Sequence, residues 1–157
     1  VVFHLADWAE SVPIGHQHFF LAVPAEHPLA QRQSVDFLDF AREPQVMLKQ
    51  GNSLRLTLDH VYAKFGMIPN VVFEVKELNA ALQYVALGFG LSVIPPVPIN
   101  RPDKVRLVPI AHPQEDFRRT VYFAYSKTSR FPPVQGMCTY IRENADHILD
   151  EVPEEPA

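Results

Sequence analysis

Apolar positions in this chain follow two rhythms, and their alternation predicts its architecture. Short apolar or aromatic runs read as strands: Phe19–Val23 in "HQHFFLAVP", then "PQVMLK", "NVVFEV", "LSVIP" and "VRLVPI", with a longer one over Thr120–Tyr125 in "RRTVYFAYSK". Between them the spacing is helical. After "GNS", residues Leu54, Leu56, Leu58, Val61, Tyr62 and Phe65 supply the apolar positions of a helix, with Gly66 as its C′ residue. Leu78–Leu87 is a second apolar helix. Pro132–Leu149 is a closing one, with Met137, Tyr140, Ile141, Ile148 and Leu149 spaced for one face. "SVDFLDF" reads as a short helix with Ser34 as N-cap. Strands alternating with helices in this way predict an α/β fold of parallel βαβ units with right-handed crossovers.

The junction "YVALGFGLSVIPP" shows how tight one of these connections must be. An apolar helix breaks at Gly88 and Gly90, and an apolar strand follows at once. Gly88 or Gly90 can take a positive φ without a Cβ penalty, and a bare backbone can pass close to a neighbour. "LSVIP" is apolar throughout, as expected of a strand covered on both faces. "IPPVPINRP" reads as an irregular connection, and the acidic, proline-bearing tail "DEVPEEPA" as disordered.

Composition narrows the function. The chain has 157 residues, 47% hydrophobic and 20% charged, with a formal net charge of −4. That balance supports a packed core and argues against a nucleic-acid surface on this stretch. A single cysteine, Cys138, excludes an intramolecular disulfide, fits a reducing compartment, and reads as a core residue of the closing helix. No signal peptide and no membrane-length apolar run is evident, so the reading is a cytoplasmic fragment of a longer protein.

Enzyme signatures are missing. There is no GxSxG elbow, no GxxxxGK[ST] or GxGxxG loop, and the carboxylate pairs Asp36/Asp39 and Glu154/Glu155 fall on a polar helix face and in the tail. No catalytic residue, metal site or cofactor is expected. His16 and His18 share one face of an extended segment, but HxxxH and HExxH are absent, and exposed strand histidines explain them. "KQGNSLRL" is more suggestive. A strand ends near Lys49, and Gly51, Asn52 and Ser53 lead into a helix whose first-turn N–H groups suit an anion. A plain N-cap by Asn52 or Ser53 explains the same residues without a ligand. "EVKELNAAL" repeats the grammar: strand, polar turn with Lys76 and Glu77, helix start at Leu78–Asn79. Two such loops in adjacent βα units could line one cleft.

An ordered series of segments then resembles a known family. "FFLAVPAEHPLA", "SVDFLDFAREPQVML", "LDHVYAKFGMIPNVVFEV", "LNAALQYVALGFGLSVIPP" and "RRTVYFAYSK" are similar, in sequence order over roughly residues 17 to 146, to the effector-binding domain of LysR-type transcriptional regulators. The resemblance implies a type 2 periplasmic-binding-protein-like fold, with two α/β lobes, two crossing strands and a small effector between the lobes. It implies mostly the second lobe here, with part of the first. Residues 1–16 would be a first-lobe remnant, 17–126 the second lobe with both crossing strands, 127–149 the first lobe's closing helix and 150–157 a disordered tail.

By the same resemblance the partners are a small effector, for which the anion-suited helix start favours an anionic metabolite, and further copies of the chain, as a dimer or tetramer of the intact protein. Operator DNA would be held by a winged helix-turn-helix outside this sequence. No membrane partner is implied. Carried over by position, the ligand contacts would be Gln50, Gly51, Asn52 and Ser53, Leu78 and Asn79 in the second loop, and Pro24 at the lobe crossing. Asn52→Ala is expected to weaken an anionic effector. Gly88 and Gly90 are expected to be structural. The alternative is a solute-binding protein of a transporter, and a third reading is a small hydrolase.

Overall fold

The computed structural model describes residues 9–96, 101–112, 117–129 and 131–144. The chain divides into two compact units, one of Val1–Gln17 with Arg119–Ala157, the other His18–Arg118. The larger unit carries β2 (Phe20–Pro24), a 3-10 turn at Pro28–Gln31, β3 (Val35–Asp36), α1 (Phe37–Phe40), β4 (Gln45–Leu48), α2 (Ser53–Lys64), β5 (Val71–Val75), α3 (Leu78–Ala86), β6 (Ser92–Ile94) and β7 (Val105–His112). The smaller unit carries β1 (Ala9–His18), β8 (Arg118–Ser126) and α4 (Pro132–Asn144).

The larger unit is built on β2, whose Leu21, Ala22 and Val23 are fully buried. Because strand side chains alternate between faces, β2 serves two cores at once. Leu21 and Val23 join the cluster of Phe37, Phe40, Leu54, Leu58 and Tyr62 on the α1/α2 side. Ala22 joins Leu82, Val85 and Ile94 on the α3 side. Each fully buried Leu, Val or Phe contributes about 1.5–3 kcal/mol relative to exposure, so the helices are held chiefly by this two-sided burial. Phe37 is the hub of an aromatic group, 4.9 Å from Tyr62, 5.7 Å from Phe40 and 5.9 Å from Phe117 between ring centroids.

Sheet topology corrects the expectation of a parallel array. The order is β3-β7-β2-β6, with β2 antiparallel to both its neighbours. Parallel pairing occurs between β4 and β5 and between β3 and β7. A continuous apolar run is the mark of a strand buried on both faces, and it carries no sign of direction. One residue joins the β4–β5 pair to the rest: the Leu91 N–H donates to Pro44 O at 2.8 Å, and the Val46 N–H donates to Leu91 O at 2.8 Å.

The two junction glycines have separate tasks. Gly88 adopts φ +79°, ending α3 in the left-handed region. Gly90 provides close approach, since a Cβ there would stand 2.7 Å from the Pro44 carbonyl oxygen.

Other expectations shift in detail. The N-cap of α1 is Asp36, not Ser34, because Val35 and Asp36 pair in β3 before the helix begins. Leu56 and Phe65 are exposed, while Arg55 is buried on the inner face of α2. Gly66 follows the C-cap residue Phe65 and has φ +63°.

In the smaller unit, Arg119 Nε donates to Gln17 Oε1 at 2.9 Å, Thr120 meets His16 at 3.2 Å and Tyr125 OH donates to Glu10 at 2.7 Å. Partners running in opposite directions along β1 and β8 make that pair antiparallel. On α4, Cys138 is buried, whereas Met137 and Tyr140 are exposed, so those two lie off the face this unit covers. Ile148, Leu149, the tail 150–157, residues 1–8 and the middle of "IPPVPINRP" lie outside the described residues.

Candidate functional site

The site is best built from the one parallel pair that ends in two helix starts. Leu48 and Val75 are partners at the carboxyl ends of β4 and β5, and the Lys49 N–H donates to Val75 O at 2.9 Å. Both chains therefore leave the ladder side by side. From Leu48 the chain passes through Lys49, Gln50 and Gly51, the last at φ +88°, into α2. From Val75 it passes through Lys76 and Glu77 into α3. Gln50, Gly51, Asn52 and Asn79 are exposed, and Ser53 and Leu78 are half-buried. The structure thus brings six of the seven expected residues to one sheet edge.

Pro24 is the exception. β6 runs parallel to β4 beside it, and β2 runs antiparallel to β6, with Phe20 opposite Ile94 and Ala22 opposite Ser92. Pro24 therefore ends β2 at the edge where β4 and β6 begin, opposite the two loops. The boundary between units falls at Gln17/His18, at the other end of β2. A segment-level likeness places Pro24 after a strand, but only strand direction tells which edge it reaches.

The two helix starts are not equivalent. Asn52 is the N-cap of α2, its Oδ1 accepting from the Leu54 N–H at 2.9 Å, and its own N–H donates to Lys49 O at 3.3 Å. Of the four N–H groups that helix geometry leaves over, those of Ser53 and Arg55 remain. Asn52 thus performs the capping role that explains its presence without a ligand. Glu77, the N-cap residue of α3, makes no side-chain capping bond, so the first-turn N–H groups of Leu78, Asn79 and Ala80 carry no intrahelical acceptor. Lys49 and Lys76, both exposed, stand one residue beyond the paired strand ends. Two helix N-termini and two ammonium groups on one edge favour a small anion.

Arg55 went unnoticed in the sequence because it interrupts an apolar spacing. Its side chain is 7% exposed, and it pairs with Asp59 at 2.8 Å and Glu74 at 2.6 Å. Burial pulls its pKa down and the two carboxylates raise it by more, so the guanidinium sits above its ordinary value and stays charged. Gly88 and Gly90 lie in the turn between α3 and β6. Among the described residues no group of three or more His, Cys, Asp or Glu could hold a metal ion, and no helix is long and apolar enough to cross a membrane.

Comparison with known proteins gives the family of the chain and its fold. The family model described as "LysR substrate binding domain" matches residues 3–146. An uncharacterized HTH-type transcriptional regulator of Bacillus subtilis, YybE, is 31% identical over 123 residues, 78% of this chain and 41% of its own length. The HTH-type transcriptional regulator CysB of Burkholderia cenocepacia is 30% identical over 112 residues, 69% of this chain and 36% of its own. The chain thus spans well under half the length of these relatives. Among solved structures, the effector-binding domain of QuiR in complex with shikimate aligns with TM-score 0.73 at 23% identity, covering 92% of this chain and 66% of that one. The BenM effector-binding domain with benzoate aligns with TM-score 0.76 at 20% identity, covering 99% and 70%.

Proposed function

We propose, from the premise that this chain belongs to the LysR substrate-binding domain family, that it is the effector-sensing part of a transcriptional regulator and takes a small organic anion at the carboxyl edge of β4 and β5. The observation that carries this is the paired ending of β4 and β5 in two helix starts, flanked by Lys49 and Lys76. Gln50, Gly51, Asn52, Ser53, Leu78 and Asn79 would line it, with backbone N–H groups as donors, most freely at α3. Shikimate and benzoate, the molecules bound by QuiR and BenM, are both carboxylates, which supports a carboxylate here.

The larger unit would be the second lobe of a type 2 periplasmic-binding-protein-like fold, and the smaller unit part of the first. Residues 17–126 would then hold the second lobe with both crossing strands, and 1–16 and 127–149 the first-lobe pieces. Effector binding would bias the intact protein between two arrangements, by as much as the effector's affinities for the two differ. That protein would act in the cytoplasm as a homo-oligomer, holding operator DNA through a separate winged helix-turn-helix. The curated relatives are regulators, which favours this reading over a transporter's solute-binding protein and over a hydrolase.

A thermal-shift screen of the chain against benzoate, shikimate and a panel of small carboxylates tests the site. A ligand at 100 times its Kd adds about 2.7 kcal/mol of stability. The expected result is a shift with carboxylates that is lost in a Lys49→Ala/Lys76→Ala variant. A shift that survives the double substitution would place the anion site elsewhere, and none with any compound would reject an anion site on this chain.

A further inference from the structure

The two loops are separate in sequence, yet one buried side chain reaches the foot of both. Arg55 is the third residue of α2. Its Nη1 donates to the carbonyl of Leu48, the last residue of β4, at 3.0 Å, and to Glu74 Oε1, next to last in β5, at 2.6 Å. Its Nε donates to Asp59 Oδ1 one helical turn along, at 2.8 Å. One planar group therefore ties a strand end, the neighbouring strand and the helix that springs from the first loop.

The helix dipole does not favour a cation there, and the pair with Asp59 one turn along adds little to helix stability. The first turn of a helix disfavours positive charge, and the inner face of α2 otherwise buries Leu54, Leu58, Val61 and Tyr62. An apolar residue would cost less desolvation, and replacing a buried ion pair by a well-packed apolar residue is often neutral or stabilising. What an apolar residue does not supply is direction. The guanidinium is a rigid fork of donors, and here its donors point to three different elements.

We infer that Arg55 is a positioning residue, fixing the Lys49–Ser53 and Lys76–Asn79 loops relative to each other so that both helix starts face one anion. The functional sense of this rests on the anion site proposed above; the geometry it fixes does not. Its test therefore needs no ligand.

Amide hydrogen exchange of the whole chain, read residue by residue with the melting temperature, compares the parent with Arg55→Met. The expected result is exchange faster by about tenfold or more at the hydrogen-bonded amides that close the two loops, Lys49, Asn52 and Leu54 at the first and Ala81 at the second, with core strands β2 and β7 unchanged. Unchanged exchange at both loops overturns the inference, as does an acceleration spread evenly through the core, which would mark Arg55 as a general contributor to stability. Should Arg55→Met fail to fold, Glu74→Ala decides the matter. Glu74 is partly exposed, and its loss removes only the arm to β5. Faster exchange at Ala81, with Asn52 and Leu54 unchanged, supports the inference; no change at Ala81 overturns it. Failure of the carboxylate screen alongside selective loosening would reject the anion and leave the positioning role standing.

Discussion

The starts of α2 and α3 stand on adjacent strands and differ in how they use their own polar side chains. α2 begins with glycine, asparagine and serine, and asparagine spends its oxygen on the helix it opens. α3 begins with glutamate, whose carboxylate caps nothing. The helix with the more ligand-like sequence is thus the more self-sufficient one, and the plainer helix has more donors to give. A polar residue at a helix start satisfies its own backbone first, and capacity for a ligand is what remains.

Substitutions can break or sharpen that contrast. The largest effect is expected from Gly90→Ala, which acts on the platform under both helices. A Cβ would meet the Pro44 carbonyl oxygen at 2.7 Å and the carbonyl carbon at 3.0 Å, both backbone atoms with little room to give. A loss near 3 kcal/mol, roughly the upper end for overpacking, should appear in urea denaturation. An unchanged midpoint would show that the Pro44–Leu91 seam yields.

Asn52→Ala should cost about 1 kcal/mol, the usual worth of an N-cap, in the same assay. Because the cap occupies the Leu54 N–H, the substitution frees a donor. Carboxylate affinity is then expected to hold or rise, against the weakening that the sequence suggests. Gly51→Ala should cost about 1 kcal/mol through backbone strain alone, since φ is +88° and nothing lies within 4 Å of the new Cβ.

The smallest effect, and the sharpest for the comparison, is Glu77→Ser. A serine able to cap α3 should add roughly 0.5 kcal/mol of stability. It should also weaken carboxylate binding in the thermal-shift assay by engaging an N–H the ligand would use. Tighter binding would mean that the Glu77 charge, not the open helix end, governs the edge.

Much of this was legible in the chain itself. The period of Leu54, Leu58, Val61 and Tyr62 located α2, the apolar run before "GFG" located α3, and the paired glycines announced a tight passage. What stayed hidden is relational. "FFLAV" looks the same whether its neighbours run with it or against it, so the antiparallel setting of β2 and the far-edge position of Pro24 were out of reach. Arg55 broke a spacing that Leu56 appeared to continue, and Leu56 faces water. Ser34 reads as a cap only until Val35 and Asp36 are seen to pair first. Each of these depends on a partner distant in sequence, which local periodicity does not encode.

The seam at Leu91 has an evolutionary consequence. Residues 45–90, which carry both loops, leave the rest of the larger unit at Pro44 and rejoin it at Leu91, and those two residues are hydrogen-bonded to each other. The segment begins and ends at one point in space, the geometry that tolerates insertion and exchange. It is a cassette. Exchange of a homologous 45–90 segment would replace both loops at once, provided that the incoming helices repack on the two faces of β2 that α2 and α3 cover. The packing of Tyr62 on Phe37 is one of the contacts the incoming piece must keep.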